Sequence, residues 1–296
     1  MKLHIDSTMY IMFLMDITLP IPNTSIANHK FFLYNTYMNK MKLTPKTDRE
    51  IFIMREAGKR HAELIEKIFD YTKAGQSTWD IELYARKVCK TLNLKTVQIG
   101  YQKYPCAICM GINNDGVHTI PHKNKVLSEG DITTIDITVG FKGYCMDGGV
   151  TKAIGKVDKK ARKLIRTTYK ALTMAVANCV EGKTINDISN AIYTISKRAG
   201  FDVLKSFSGH GIGKNLHEEP YIPNFPFVGG DVVLPANIVV ALDTMVIEGE
   251  GDAIIQKDGW STKVENGGRL GFFENTVLVG HDSPEILNNW KVSLPQ

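Results

Sequence analysis

Residues 135–147, IDITVGFKGYCMD, place two aspartates, Asp136 and Asp147, on either side of a Gly-Phe-Lys-Gly turn. Ile135, Ile137 and Val139 alternate before the turn and Tyr144 follows it, the period-two pattern of two antiparallel strands. A turn closed symmetrically between Gly140 and Gly143 pairs residues whose numbers sum to 283, and Asp136 and Asp147 satisfy that sum. The two carboxylates then stand opposite one another on one face, with Cβ atoms roughly 4.5–5.5 Å apart. Carboxylates so placed repel, and one stays protonated unless a cation lies between them. The hairpin therefore asks for a cation.

The rest of the chain limits what that cation can serve. With 296 residues and 43% hydrophobic content, it has the material for one large domain or two small ones. A net charge of +5 permits weak attraction to nucleic acid but gives no basis for sequence-specific recognition. Five cysteines, an odd number, suit a reducing compartment and a cytoplasmic protein better than a disulfide framework. Cys106 and Cys109 form a CxxC with no second pair to complete a structural zinc site, so they read as partly buried thiols. No stretch is long and apolar enough to span a bilayer. Residues 1–41 mix YIMFLM with Asp16, prolines and asparagines, an apolar run too short for a signal peptide, and they lack the arginines of a transit peptide. They are expected to be an N-terminal extension, with Met38 or Met41 as alternative starts.

Regular organisation begins at Thr47. Thr47-Asp48-Arg49-Glu50 is a capping box, and Ile51, Met54, Ala57, Ala62, Ile65 and Ile68 form an amphipathic helix that stops before Gly75. A second helix is expected from about Ser77 to Leu92. The plan then recurs: a Lys-rich helix over 158–181 reaches Gly182, and Thr184 opens another that ends at Gly200. The junctions Gly75-Gln-Ser-Thr-Trp-Asp80-Ile81 and Gly182-Lys-Thr-Ile-Asn-Asp187-Ile188 share a turn glycine, a hydroxyl cap and Asp-Ile at equal spacing. Helix pair followed by strands, twice, predicts an α+β fold of two similar halves with helices outside a shared sheet.

Further candidate ligands lie in the strands. SGHGIGKNLHEEP (208–220) holds His210 between glycines and His217 seven residues on. LDTMVIEGEG (242–251) and GFFENTVLVG (271–280) put Asp243 and Glu274 inside apolar runs, where an unpaired charge is costly. GVHTIP (116–121) offers His118 beside a proline turn. Four carboxylates and one imidazole are mostly hard donors, numerous enough for two divalent ions, and favour Mn, Fe, Co or Zn over a thiolate-type site. Two such ions activate water and polarise a carbonyl.

The stretches YQKYPCAICMGIN (101–113), VHTIP (117–121), EGDITTIDITV (129–139), GYCMD (143–147), SGHGIGKNLHEEP, DGW (258–260) and FFENTV (272–277) together resemble the type I methionine aminopeptidases, in order and in spacing, over essentially residues 42–290. The resemblance implies the pita-bread fold, two pseudo-symmetric halves around a curved antiparallel sheet, with residues 42–296 as the catalytic domain. It implies that Asp136, Asp147, His210, Asp243 and Glu274 occupy five metal-ligand positions, with Asp147 and Glu274 bridging two ions. His217 matches the residue that stabilises the oxyanion and His118 the one that contacts the scissile amide. Tyr101, Tyr104, Cys109 and Trp260 match positions around the pocket for a methionine side chain. The implied activity is removal of the N-terminal methionine from nascent polypeptides with a small second residue, by a monomer in transient contact with the ribosome.

Four residues at three places depart from the family pattern. Asp243-Thr244 stands where the family has glutamate and proline, Asn275 where histidine is usual, and Thr119 where glycine is usual. Two other readings share the fold: an Xaa-Pro peptidase, and a weakly active or non-catalytic binding protein. The pocket residues and the retained ligating side chains argue against each in turn.

Overall fold

The computed structural model describes residues 41–296; the expected extension lies outside them, apart from Met41. Helix α1 (Asp48–Tyr71) opens on the expected box, in which Thr47 Oγ1 accepts from the Glu50 N–H at 3.4 Å and Glu50 Oε2 from the Thr47 N–H at 2.9 Å. Its buried stripe includes Ile51, Met54, Ala57, His61, Leu64, Ile65 and Ile68, with the expected Ala62 half-buried against the core and His61, unexpected, fully inside it. Helix α2 (Thr78–Thr91) opens on the Ser77/Asp80 box and α4 (Ile185–Arg198) on the Thr184/Asp187 box. Helix α3 (Lys159–Val176) is capped by Asp158 and ends short of Gly182. After Val176 the chain tightens, the Asn178 and Cys179 N–H groups reaching Ala175 O and Val176 O, and by Glu181 it bonds along another segment, its N–H reaching Gly280 O at 2.9 Å.

The strands after α2 are β1 (Lys95–Thr96), β2 (Cys109–Ile112), β3 (Ile132–Asp136), β4 (Val139–Phe141), β5 (Tyr144–Met146) and β6 (Gly149–Ala153). They pair antiparallel in the orders β1-β4-β5 and β2-β3-β6. After α4 come β7 (Asp202–Val203), β8 (Ser208–Gly211), β9 (Glu218–Pro223), β10 (Val239–Ala241) and β11 (Thr244–Ile247). The outlying hairpin β12 (Ala253–Ile255) and β13 (Thr262–Val264) precedes β14 (Leu270–Phe273), β15 (Thr276–Leu278) and β16 (Glu285–Ile286). These pair as β7-β11-β14 and β9-β8-β10-β15-β16. A bridge between Gly149 and Glu274 joins the two runs. Helix α1 packs over β4 and β5, α3 over β11 and β14, and one apolar core continues beneath them, from Met54 and Ile65 through Ile135 and Val150 to Leu164 and Val246.

The two halves repeat in detail. Gly75 donates to Leu127 O at 2.8 Å and Gly182 to Leu234 O at 3.1 Å, while Ser77 bridges Val126 and Thr184 bridges Val233. Adding 107 to 75, 77, 126 and 127 gives 182, 184, 233 and 234. The same offset carries Asp136 onto Asp243.

The opening hairpin forms with a different register from the one its glycines suggest. The turn is the two-residue Lys142-Gly143, with φ of +48° and +87°, the positive pair of a type I′ turn. Val139 therefore pairs with Met146 and Asp136 with Gly149. Asp136 and Asp147 are diagonal neighbours rather than directly opposed. Because side chains alternate with period two, a slip of two leaves both carboxylates on the same face.

Candidate active site

Each half contains a hairpin that opens in its middle. β3 gives way to β4 after Asp136, and β5 to β6 across Asp147-Gly148; β10 gives way to β11 across Leu242-Asp243, and β14 to β15 across Glu274-Asn275. A carboxylate stands at every opening. Ala241 pairs with Thr276 and Thr244 with Phe273, so Asp243 lies directly opposite Glu274. The second hairpin thus has the facing arrangement that the sequence suggested for the first.

His210 on β8 completes the set. Its Nδ1 bonds Gly211 O at 2.9 Å, and its Nε2 lies 3.9 Å from Asp147 Oδ2. Ligating atoms of Asp147, His210 and Glu274 all lie within 4.8 Å of one another, and these three residues are buried. Asp136 and Asp243 are half-buried beside them. Asp243 Oδ1 and Glu274 Oε1 are buried without a hydrogen-bond partner among the described residues. Orphaned carboxylate oxygens in and beside the Asp147, His210 and Glu274 group are what a site for divalent cations requires.

Electrostatics agree. Burial, then the charges of Asp147 and Asp243, raises Asp136 well above the usual carboxylate range. Burial and the neighbouring acids do the same for Asp243 and Glu274. Asp147 is pushed up by burial to about 6, held there by hydrogen bonds from Thr138 and the Gly148 N–H. Without a cation the cluster holds protons; divalent ions reverse that preference.

His217 packs edge-on to His210, with 4.4 Å between ring centroids, and its Nδ1 is 2.8 Å from the Tyr101 hydroxyl. His118 sits at φ +58°, a left-handed backbone uncommon for histidine, with its ring 5.1 Å from Phe207 and 6.0 Å from Trp260. Burial, then the charge of His217, pushes the His118 imidazole down to about 4 and keeps it neutral. Tyr104, Cys106 and Cys109 form a separate apolar cluster with Trp79, Ile120 and Trp260. The Tyr104 hydroxyl donates to Ile108 O at 3.0 Å, and its ring meets Trp260 at 5.1 Å. Tyr101, expected around this pocket, directs its hydroxyl to His217.

Two departures from the family pattern are absorbed locally. Thr119 Oγ1 donates to Gly116 O at 2.9 Å, satisfying the hydroxyl in a fully buried position. Asn275 Nδ2 reaches Asn288 Oδ1 at 3.3 Å. Asn288 and His61, both fully buried, are absent from the sequence-derived site; the only signal was a histidine on the apolar stripe of α1.

The profile of metallopeptidase family M24 matches residues 53–281. A methionine aminopeptidase of Aquifex aeolicus is 34% identical over 249 residues, covering 81% of this chain and 96% of the relative. The crystal structure of a methionine aminopeptidase from Thermotoga maritima superposes with a TM-score of 0.81 at 34% identity, covering 83% of this chain and 99% of that one. An Xaa-Pro dipeptidase from Bacillus anthracis superposes at 0.66 with 20% identity, covering 85% of this chain and 64% of the other, a likeness of fold alone.

Proposed function

Since the chain belongs to metallopeptidase family M24, we propose that it removes the N-terminal methionine from polypeptides whose second residue is small, using two divalent ions. The carrying observation is the buried group Asp147, His210 and Glu274, with Asp243 Oδ1 and Glu274 Oε1 orphaned and Asp136 and Asp243 close enough for the acids to raise one another. Asp136 would hold one ion, His210 and Asp243 the other, and Asp147 and Glu274 both. Co, Mn, Fe or Zn fits these donors. When bound, the ions supply Lewis acidity toward the scissile carbonyl and acidify water.

The side chains of the protein do the remaining work. The Tyr104–Cys109–Trp260 cluster seats an unbranched apolar side chain and excludes water. His118, neutral near pH 7, hydrogen-bonds the scissile amide. His217, oriented by Tyr101, stabilises the oxygen that becomes negative. A carboxylate of the cluster accepts the proton released by the attacking water and passes it to the leaving amine. Residues 42–296 form the catalytic domain of a cytoplasmic monomer acting on nascent chains. No helix among the described residues is long and apolar enough to cross a membrane. The cationic stripe Lys159, Arg162, Lys163, Arg166 and Lys170 along α3 supports transient contact with ribosomal RNA.

The test is hydrolysis of Met-Ala-Ser by protein reconstituted with each metal, alongside Ala-Pro-Ala. Metal-dependent release of methionine, with the proline peptide intact, is expected. Cleavage of only the proline peptide would select the Xaa-Pro reading, and no cleavage with any metal the non-catalytic one.

A further inference from the structure

Where the first hairpin opens, backbone groups that a continuous ladder would pair need other partners. The Ile137 N–H still reaches Gly148 O at 3.1 Å, but Ile137 O turns to His61 Nε2 on α1, 2.8 Å away. Asp147 O accepts from Thr276 Oγ1 and from Asn288 Nδ2, each at 2.7 Å. Asn288 Nδ2 also lies 3.3 Å from His61 Nδ1. On the other side, Trp290 Nε1 donates to Glu274 O at 3.1 Å. One buried set of side chains therefore fixes the backbone beside Asp136, Asp147 and Glu274.

The protons in this set follow from a donor that has no choice. The Thr276 N–H donates to Asn288 Oδ1 at 2.8 Å, so Asn288 Nδ2 must be the atom facing Asp147 O and His61. Nδ1 of His61 then accepts, and its Nε2–H donates to Ile137 O. A single neutral tautomer satisfies every contact. Burial pushes the imidazole down to about 4, consistent with that state. The space is equally specific. A Cβ at Gly148 would lie 2.4 Å from Asn288 Nδ2 and 2.8 Å from His61 Cε1, so the residue beside Asp147 has to be glycine for the pair to enter.

We infer that His61 and Asn288 are positioning residues that set the spacing of Asp136 and Asp147 from outside the site, so that both carboxylates reach the ions. This rests on the metallopeptidase reading above. Ligand distances are tolerated only within about 0.2 Å, and removing partners of this kind lowers metal affinity by about 10- to 100-fold. In His61→Gln the side-chain amide reproduces the Nε2–H donor toward Ile137; in His61→Asn the amide is too short to reach it.

The experiment is calorimetric titration of the metal-stripped full chain with Mn²⁺ or Co²⁺, with melting of the stripped forms in parallel. His61→Asn should bind metal at least about tenfold more weakly than wild type, and His61→Gln should recover most of the loss. Wild-type affinity in His61→Asn, or equal losses in both variants, would overturn the inference, the latter by showing that only packing matters. Should the Asn variant not fold, Gly148→Ala keeps every hydrogen-bonding group but must displace the pair, and should show the same weakening; unchanged affinity there overturns the inference too. A wild-type protein that takes up no divalent ion would instead sink the metallopeptidase reading, and this inference with it.

Discussion

Asp243→Glu adds one methylene to a ligand whose backbone cannot move far to absorb it. Leu242 N–H is tied to Asn275 O at 3.0 Å, Thr244 is paired with Phe273, and the Met245 N–H donates to Asn224 Oδ1 at 3.0 Å. The carboxylate therefore advances by about one carbon–carbon bond, ~1.5 Å, against a coordination tolerance of about 0.2 Å. Asp and Glu cannot both hold the same ion at bonding distance. The ion shared by Asp243 and His210 should then bind more weakly than the one on Asp136, and Asp243→Glu should tighten it by about tenfold, ~1.4 kcal/mol. Calorimetry on metal-stripped protein should show two unequal sites that become similar in the variant, and the metal concentration for half-maximal cleavage of Met-Ala-Ser should fall. Two equally tight ions in the unmodified protein, with no gain in the variant, would refute the argument from reach.

Substitution of the histidines should separate their roles. His210→Ala should lose metal together with activity, whereas His217→Ala and His118→Ala should keep metal and lower kcat by about 10²-fold or more; equal metal loss in all three would end that division. Metal affinity should rise with pH, because Asp147, raised by burial to about 6, and Asp136, Asp243 and Glu274, raised by burial and by one another's charge, hold protons that an ion must displace. Each displaced proton is worth about tenfold per pH unit below the pKa of its group, and a flat titration between pH 5 and 7.5 would contradict it. Trp260→Ala removes the ring that meets Tyr104 at 5.1 Å, and should raise KM for Met-Ala-Ser by up to about tenfold, given the ~0.5–1.5 kcal/mol of such aromatic pairs; an unchanged KM would place the methionine elsewhere.

The parts of this site that were legible in sequence are those that depend on alternation. Asp136 and Asp147 share a face under either register, so the need for a cation is visible in the sequence although the turn is tighter than its glycines suggest. Gly140 and Gly143 advertise a four-residue loop, and nothing local reveals that Lys142 adopts positive φ and tightens it. Asp243 and Glu274 were visible as charges in apolar strands. Their direct opposition was not, because residues 248–269 intervene and carry a hairpin of their own. Tyr101 sits in the same motif as Tyr104, and its hydroxyl contact with His217, 116 residues on, is not readable from that motif. His61 was hidden for a different reason. A polar residue on a helix's apolar stripe gains its meaning from distant partners, here Ile137 and Asn288.

The offset of 107 residues that relates the halves also relates Asp136 to Asp243. Asp136 and Asp147 come from the first half, His210, Asp243 and Glu274 from the second. Neither half alone can offer more than three ligands, and the bridge between Gly149 and Glu274 is the backbone stitch nearest the ligands, with further ones such as Asp115–Lys263 and Cys145 N–H to Gly213 O. An ion bound here is accordingly a clasp across an internal seam. Each ion stabilises the folded chain by about 2.7 kcal/mol at a hundredfold excess over Kd, and that stabilisation is lost with its contacts across the seam, so a chelator should loosen the strands around the seam before it loosens either helix pair.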